Sequence, residues 1–557
     1  MHQRSLTVPS VAWLVIIALL AFPCFLPRWG QRFFLPCEAA LRRLATRRTL
    51  VVVLIFLAAI LLRISLLPLI PVPQPGIHDE FSNLLAADTF AHGRLTNPPH
   101  PLWLSFETFH VLMFPTYCSK YPPAQGMILA LGQLLGHPWI GVLLSCAALC
   151  AAITWMLQAW LPARWALLGG LIALLKFALI SYWMNSYWGG AAPAIGGALL
   201  LGGLGRIFRK PRASDALLLG LGLAILANSR PYEGLVLSVP AAVAFLLWLK
   251  RPAALPWSIK LRRIVLPLAA CLALTAAFIA YYNWRLTGDA LLMPHVLDKH
   301  TYRSTGEFLW DPIKPPLHYH NPQFEAGYNV FYRNIFHRTW KEFGHILGEK
   351  YTNFREVYLW PGADLLFLLL PLLFRDRRMR LLLWELAAMA VAISAVTWSL
   401  PHYLAPATGL IYALLVQCIR HLRTLRFSGR PVGLGLSRMF LVILALTVGT
   451  GLYLRVTDSA PWLWDAEMGI SRRASVSEKL RRLPGNHLVI VRYGPLHDFN
   501  EEWVYNAADI DHSKIVWARE MDDEQNQKLL AYFHDRRVWL VQPDDDTSDD
   551  FEPYSPE

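Results

Sequence analysis

The sequence predicts a mainly helical, polytopic transmembrane protein of about twelve spans, with a small α/β unit at its C-terminus. Three observations carry this prediction. Hydrophobic residues make up 55% of the 557 residues and charged ones 16%, with a mean hydropathy of +0.35, whereas soluble domains carry about 25% charged residues. Apolar runs of bilayer-crossing length recur along the chain. From residue 456 onward the composition changes: acidic residues outnumber basic ones about two to one, and short apolar strands alternate with a helical pattern.

The apolar runs fall near 9–26, 49–70, 137–158, 164–181, 191–207, 215–229, 233–249, 264–283, 361–374, 380–397, 402–419 and 438–455, some short enough to be tilted or imperfect. The first, Val11 to Leu26, ends in Ala21-Phe22-Pro23-Cys24, a poor cleavage site, and reads as a retained helix. Alternate connections are rich in Lys and Arg: Arg28 to Arg48, Arg206 to Arg212, Lys250 to Arg263, Arg375 to Arg380 and Arg420 to Arg438. Under the positive-inside rule these are cytoplasmic, which places the N-terminus, loops 71–123 and 285–360 and everything after 456 on the other face. The net charge of +13 is therefore explained by cytoplasmic loops, and no nucleic-acid partner is expected. The 7 cysteines form no disulfide framework, and Cys146 and Cys150, one helical turn apart, read as packing.

Three domains follow: 1–48, an N-terminal helix and basic cytoplasmic loop; 49–455, the transmembrane core with its two long loops; and 456–557, an extracytoplasmic α/β unit. In the last, His487 to Tyr493, Lys514 to Trp517 and Arg537 to Val541 read as strands, and Asp523 to His534 as a helix. Tyr493-Gly494-Pro495 after the first strand is a turn and not a phosphate fingerprint. A lid, docking or assembly role is expected for this unit, with Asp544 to Asp546 and Asp549-Asp550 in a solvated terminus.

The chemistry is expected at the extracytoplasmic helix ends. Loop 71–123 begins His78-Asp79-Glu80-Phe81, where two adjacent carboxylates can supply a general base and an electrostatic partner or stand as solvated surface. It closes on Ser119-Lys120-Tyr121-Pro122-Pro123. A lysine held at a helix start near the headgroups suits a phosphate, or anchors the helix at the interface. Tyr187 and Trp188, ahead of a small-residue helix, are candidate cavity lining, although such Gly and Ala serve helix packing too. Arg230, beside Pro231, can bind phosphate from the outer end of its helix or pair with Glu233. Loop 285–360 carries Asp289, His295, His300, Arg303 and His318-Tyr319-His320, and aromatic-rich loops of this kind cover membrane-facing clefts.

Asp79-Glu80 after a crossing and Lys120-Tyr121-Pro122-Pro123 closing the same loop resemble the polytopic glycosyltransferases of the GT-C fold. Within that superfamily they are similar to protein O-mannosyltransferases, lipid A aminoarabinose transferases and lipopolysaccharide-core sugar transferases. The resemblance covers roughly residues 50–420, and the first helix is extra to it. It implies a hexosyl or pentosyl transferase in a bacterial-type inner or plasma membrane. Its donor would be a polyprenyl-phosphate-linked sugar and its acceptor a hydroxyl on a glycan, lipid or protein. Asp79 would be the catalytic base with Glu80 beside it, and Lys120 would contact the donor phosphate. Pro401-His402-Tyr403 to Pro406 is similar to an Arg-Tyr-x-x-Pro sequence that opens a late helix in these enzymes, so His402 and Tyr403 join the expected phosphate site. His402 stands where arginine is frequent in those enzymes, so this position departs from their pattern. His78, Tyr121, Tyr187, Trp188 and Glu233 are expected to line the cavity. No cofactor is expected; some members need a divalent ion, and basic phosphate clamps such as Lys120 and Arg230 favour the metal-free kind. The expected reaction is inverting transfer. A secondary transporter is the rival reading, against which stand polar clusters at helix ends and no evident internal repeat. A polysaccharide polymerase or ligase of the cell envelope, and a non-catalytic assembly protein, are the others.

Overall fold

The structure, a computed structural model, describes residues 10–179, 181–251, 256–336, 342–457, 471–545 and 550–555. Asp546 and Asp549 of the acidic terminus lie outside them. Among the described residues six helices are long and apolar enough to cross a bilayer: Arg48–Ser65, Pro138–Trp160, Pro231–Leu249, Trp257–Thr287, Pro401–Leu422 and Val432–Val456. A seventh span results if Phe343–Tyr358 and Ala363–Leu373, bent by 105° at their junction, are taken together. The protein is thus a multi-pass membrane protein, but not every expected segment spans unaided. Ala163–Phe177, Ala191–Ile207, Ala213–Ala227 and Met379–Ala395 hold 15, 17, 15 and 17 residues. At about 1.5 Å per residue these reach only about 22–26 Å, short of a hydrocarbon core of about 30 Å.

Of the short helices, Ala191–Ile207 is packed inside. Ala191–Ile207 lies against Ala213–Ala227, Pro138–Trp160 and the 3₁₀ turn Pro401–Ala407. The approach is so close that a Cβ on Gly197 would stand 1.8 Å from the carbonyl oxygen of Pro406. The small residues of this helix therefore serve packing, and they let the 401–407 turn lie close against it. The basic stretch 28–48 contains the amphipathic helix Gln31–Ala45 instead of a loop. Its Glu38 pairs with Arg423 at 2.6 Å and Arg438 at 3.1 Å, so two basic stretches assigned to one face meet.

Loop 71–123 is largely ordered structure. It holds the helix His78–Ala91 and a hairpin of β1 (Val111–Leu112) and β2 (Cys118–Ser119), with Val111 opposite Ser119. The helix Pro123–Leu134 follows. Loop 285–360 contributes Pro294–Tyr302 and a π-helical stretch Glu325–Tyr332. The C-terminal strands are β3 (His487–Val491), β4 (Ile515–Arg519), β5 (Arg537–Val541) and β6 (Glu552–Pro553), in the order β4-β3-β5-β6. The first three are parallel, as expected for strands joined through helices.

This sheet does not have a core wholly its own. Leu488, Ile490, Val516 and Leu529 share a hydrophobic cluster with Phe81, Leu85, Phe106 and Val111 of the 71–123 lobe. Tyr505 stacks on Phe81 at 4.4 Å, and the Arg473 guanidinium lies between Phe81 and Trp517 at 4.7 and 4.8 Å. Lobe and tail thus share one hydrophobic core. Cys146 and Cys150 are free and buried, as packing residues.

Candidate active site

The 71–75 stretch, with its prolines, excludes helix until Ile77, whose extended backbone precedes the first turn of His78–Ala91. Asp79 and Glu80 are the second and third residues of that helix, at the end where the helix dipole favours negative charge. Successive helical residues are turned by about 100°, so the two carboxylates cannot enter one cavity. Glu80 is the one turned inward. Fully buried, it accepts hydrogen bonds from the amides of Gly76 (2.6 Å), Ile77 (3.3 Å) and Tyr187 (2.7 Å). Burial outweighs these amides and pushes its carboxyl up to about 7. The expected catalytic partner is instead a clamp between the 76–77 turn and the 187 segment.

The hairpin brings the next groups in. Because Val111 pairs with Ser119, the residues just beyond them, His110 and Lys120, stand side by side, with the Lys120 amide on the His110 carbonyl at 3.3 Å. Ser82, one turn into the helix, donates to the same carbonyl at 2.6 Å and lies 2.7 Å from the Ser119 hydroxyl, docking the hairpin on the helix that carries Asp79. The Tyr121 hydroxyl then donates to Asp79 Oδ1 and lies 3.0 Å from His110 Nδ1. Burial opposes the charge on Asp79, but His110, Tyr121 and Lys120 outweigh it and hold the carboxyl well below the usual carboxylate range. Lys120 is 9% exposed, its ammonium 3.2 Å from Asp298 of the Pro294–Tyr302 helix.

The opposite wall is built where two membrane helices begin. Arg230 precedes Pro231–Leu249 and lies over the Tyr403 ring at 4.3 Å, with the charge of Glu233 acting on it. A backbone bond of 3.0 Å from Ala124 to Asn228 ties the Pro122-Pro123 turn to this wall and so brings Lys120 toward Arg230. The result is one cavity of about 270 Å³ lined by Asp79, Lys120, Tyr121, Trp188, Arg230, Glu233 and Tyr403.

Four expected site residues lie off this cavity. Besides Glu80, His78 stacks on Phe109 at 4.7 Å and meets the Tyr505 hydroxyl at 3.1 Å; burial pushes its imidazole down to about 3. The Tyr187 hydroxyl donates to the Pro73 carbonyl at 2.9 Å. His402 is buried behind Trp188, its Nδ1 3.1 Å from the Tyr182 hydroxyl. It is adjacent to Tyr403 in a 3₁₀ turn, where neighbours point about 120° apart, so only Tyr403 reaches the cavity. Of the residues singled out in loop 285–360, His295 and Arg303 line it; Asp289, His300, His318 and His320 do not. Among the described residues no group of three or more His, Cys, Asp or Glu side chains is arranged to hold a metal ion. His110, Asp298 and Tyr332 line the cavity without having been picked out. Their roles depend on strand register and on contacts across 178 and 222 residues, for which no local pattern gives a signal.

No protein-family model and no curated protein matches the sequence. Solved structures do resemble it. ArnT from Cupriavidus metallidurans in the apo state matches over 90% of this chain and 93% of its own, at 13% identity and a TM-score of 0.48. The same protein bound to undecaprenyl phosphate matches over 88% and 92%, at 14% identity and a TM-score of 0.45. An Archaeoglobus fulgidus oligosaccharyltransferase tethered with an acceptor peptide matches over 89% of this chain and 68% of its own, at 10% identity and a TM-score of 0.44.

Proposed function

We propose that this protein is an inverting membrane glycosyltransferase, moving a hexosyl or pentosyl unit from polyprenyl phosphate to an acceptor hydroxyl on the extracytoplasmic face of a bacterial-type plasma membrane. The observation that carries the reading is one cavity, beside the starts of membrane helices, that sets an ionised carboxylate, Asp79, with two cations, Lys120 and Arg230. Inverting transfer needs this set: a base for the acceptor proton and positive charge for the departing phosphate. The acceptor oxygen forms its bond to the anomeric carbon as the bond from that carbon to the phosphate oxygen breaks. The hydroxyl proton passes to Asp79, and the electron pair leaves on the polyprenyl phosphate, held by Lys120 and Arg230. Asp79 is a weak base, but the attacking oxygen turns strongly acidic as its new bond forms, so a carboxylate of this strength suffices. Lys120 exchanges Asp298 for the phosphate when donor binds. Arg230, backed by the Tyr403 ring, offers a fixed guanidinium whose fork matches two phosphate oxygens. The test is transfer by the purified protein from a panel of polyprenyl-phosphate sugars to glycan, lipid and peptide acceptors. An absence of transfer or donor hydrolysis across the panel refutes the reading.

A further inference from the structure

The hydrogen positions around Asp79 follow from what each group can donate and accept. An ionised carboxylate only accepts, so the Tyr121 hydroxyl spends its single proton on Oδ1. His110 Nδ1 lies 3.0 Å from that hydroxyl oxygen, and with the phenol proton committed the imidazole must be the donor. Nε2 of the neutral ring is left as an acceptor, and the Tyr332 hydroxyl stands 3.3 Å from it. One tautomer, Nδ1–H, satisfies the whole chain. Oδ2 of Asp79 is different. His110 Nδ1 is 3.6 Å away, beyond hydrogen-bond distance, and among the described residues no other donor reaches it.

We propose that His110 is a positioning residue that selects the basic oxygen of Asp79. As the neutral Nδ1–H tautomer it holds Tyr121 onto Oδ1 and leaves Oδ2 for the acceptor hydroxyl, and its protonation switches the base off. The proposal rests on the transfer reaction proposed above. The switch is electrostatic, since the imidazolium would put a full positive charge 3.6 Å from Oδ2 and draw that oxygen from the acceptor. The backbone is built to hold the ring there. His110 has φ 65, a left-handed conformation uncommon among non-glycine residues, and the Ser82 and Lys120 bonds to its carbonyl hold the backbone in it.

Every element packed around His110 bears on its charge. His78 and Asp79 face it from the helix, Lys120 and Tyr121 from the hairpin, Asp298 from Pro294–Tyr302 and Tyr332 from the π-helical stretch. Burial, then Lys120, push its titration below the ordinary histidine range, against Asp79 and Asp298. The neutral form is therefore the resting one at pH 7, and activity falls as pH drops through the titration of His110.

The test compares pH–rate profiles of the wild type, His110→Asn and His110→Ala. Asparagine tolerates a left-handed backbone and keeps a donor near the Nδ1 position without titrating. His110→Ala should lose roughly 10–100-fold in kcat, the scale of a misplaced reacting group, with donor KM little changed. His110→Asn should recover a large part of that loss and lack the acid limb that the wild type shows. A wild-type acid limb that persists unshifted in His110→Asn overturns the proposal. Nitrogen-15 NMR of histidine-labelled protein, assigned by the signal missing from His110→Asn, reads the tautomer without any turnover. An Nε2–H signal overturns the proposal even in an active enzyme. Failure of the wild type to transfer any sugar, with an Nδ1–H signal present, refutes the transferase reading and with it the role of His110, while leaving the tautomer established.

Discussion

Asp79→Asn is the substitution whose outcome bears most directly on the chemistry. Asparagine keeps the size of the side chain and an oxygen to accept from Tyr121, so the bonds that dock the hairpin through Ser82 are untouched. It removes the charge and the lone pair on Oδ2. A positioned base contributes typically 10²–10⁴-fold, or about 3–5 kcal/mol of transition-state stabilisation, and the loss should fall in kcat. The cations proposed to hold the donor, Lys120 and Arg230, remain, so donor affinity should change only a few-fold. Stability responds separately. Because the Asp79 carboxyl titrates well below its ordinary value, its charge stabilises the fold at neutral pH, and this contribution is lost only as pH falls through the depressed folded value. The variant should melt somewhat lower than wild type at pH 7, and the gap should close in strong acid. The assay is single-turnover transfer from a radiolabelled polyprenyl-phosphate sugar in micelles, with a thermal melt and donor titration on the same preparation. A folded, donor-binding Asp79→Asn enzyme turning over within tenfold of wild type would refute the base assignment.

Lys120→Ala should raise donor KM and lower kcat together, because in the proposed reaction the ammonium meets the phosphate in both ground and transition state; steady-state kinetics that show a change in only one parameter would argue against a phosphate contact. Glu80→Gln should spare most of the turnover per folded molecule and cost stability, since it turns an amide NH₂ toward backbone N–H groups that now have a carboxylate. Its pH signature has a definite sign. A carboxyl raised to about 7 from 4.5 takes up a proton in the folded state that the unfolded chain has released. Wild type therefore loses stability as pH rises through that interval, and Glu80→Gln should not show this slope.

The sequence made the two ends of the site readable and left its middle dark. Asp79 and Lys120-Tyr121 stand out because each sits against proline-defined breaks, and a break at a helix start is where a chain can present a charge. Arg230 is readable for the same reason. Which of two adjacent carboxylates faces the cavity is decided by helix phase, and that depends on where Ile77 ends the extended segment; composition carries no trace of it. His110 and Asp298 are set by hairpin register and by the docking of a helix 178 residues downstream of Lys120. The membrane part divides in the same way. Apolar composition marked the helical segments, but whether 15 to 17 residues span or pack internally depends on glycine-mediated approaches such as Gly197 to Pro406. The strands His487–Val491, Ile515–Arg519 and Arg537–Val541 were legible to within a residue or two from alternation, whereas Glu552–Pro553 and the burial of the sheet against Phe81 and Phe106 were not.

That shared core changes what removal of the tail should do. Strands alternating with helices read as an independent unit, and deletion from about residue 470 should still leave a membrane-integrated protein, since the long apolar helices end at Val456. The lobe, however, would lose its cover. Phe81, Phe106 and Val111 are buried in a cluster completed by Leu488, Ile490, Val516 and Leu529, and exposing each costs about 1.5–3 kcal/mol. Asp88 would lose the Ala508 amide at 2.8 Å, and His78 the Tyr505 hydroxyl at 3.1 Å. Both lie on the helix that carries Asp79, and a shift of about 1 Å there costs on the order of 100-fold in rate. The truncated chain should therefore resist alkaline extraction from membranes yet lose transfer. A tail that only recruits acceptor gives a different pattern: slow hydrolysis of the donor by water persists while transfer to acceptor fails. Measuring both reactions on the truncated protein separates the two roles, and preserved donor hydrolysis would overturn the view that the tail buttresses Asp79.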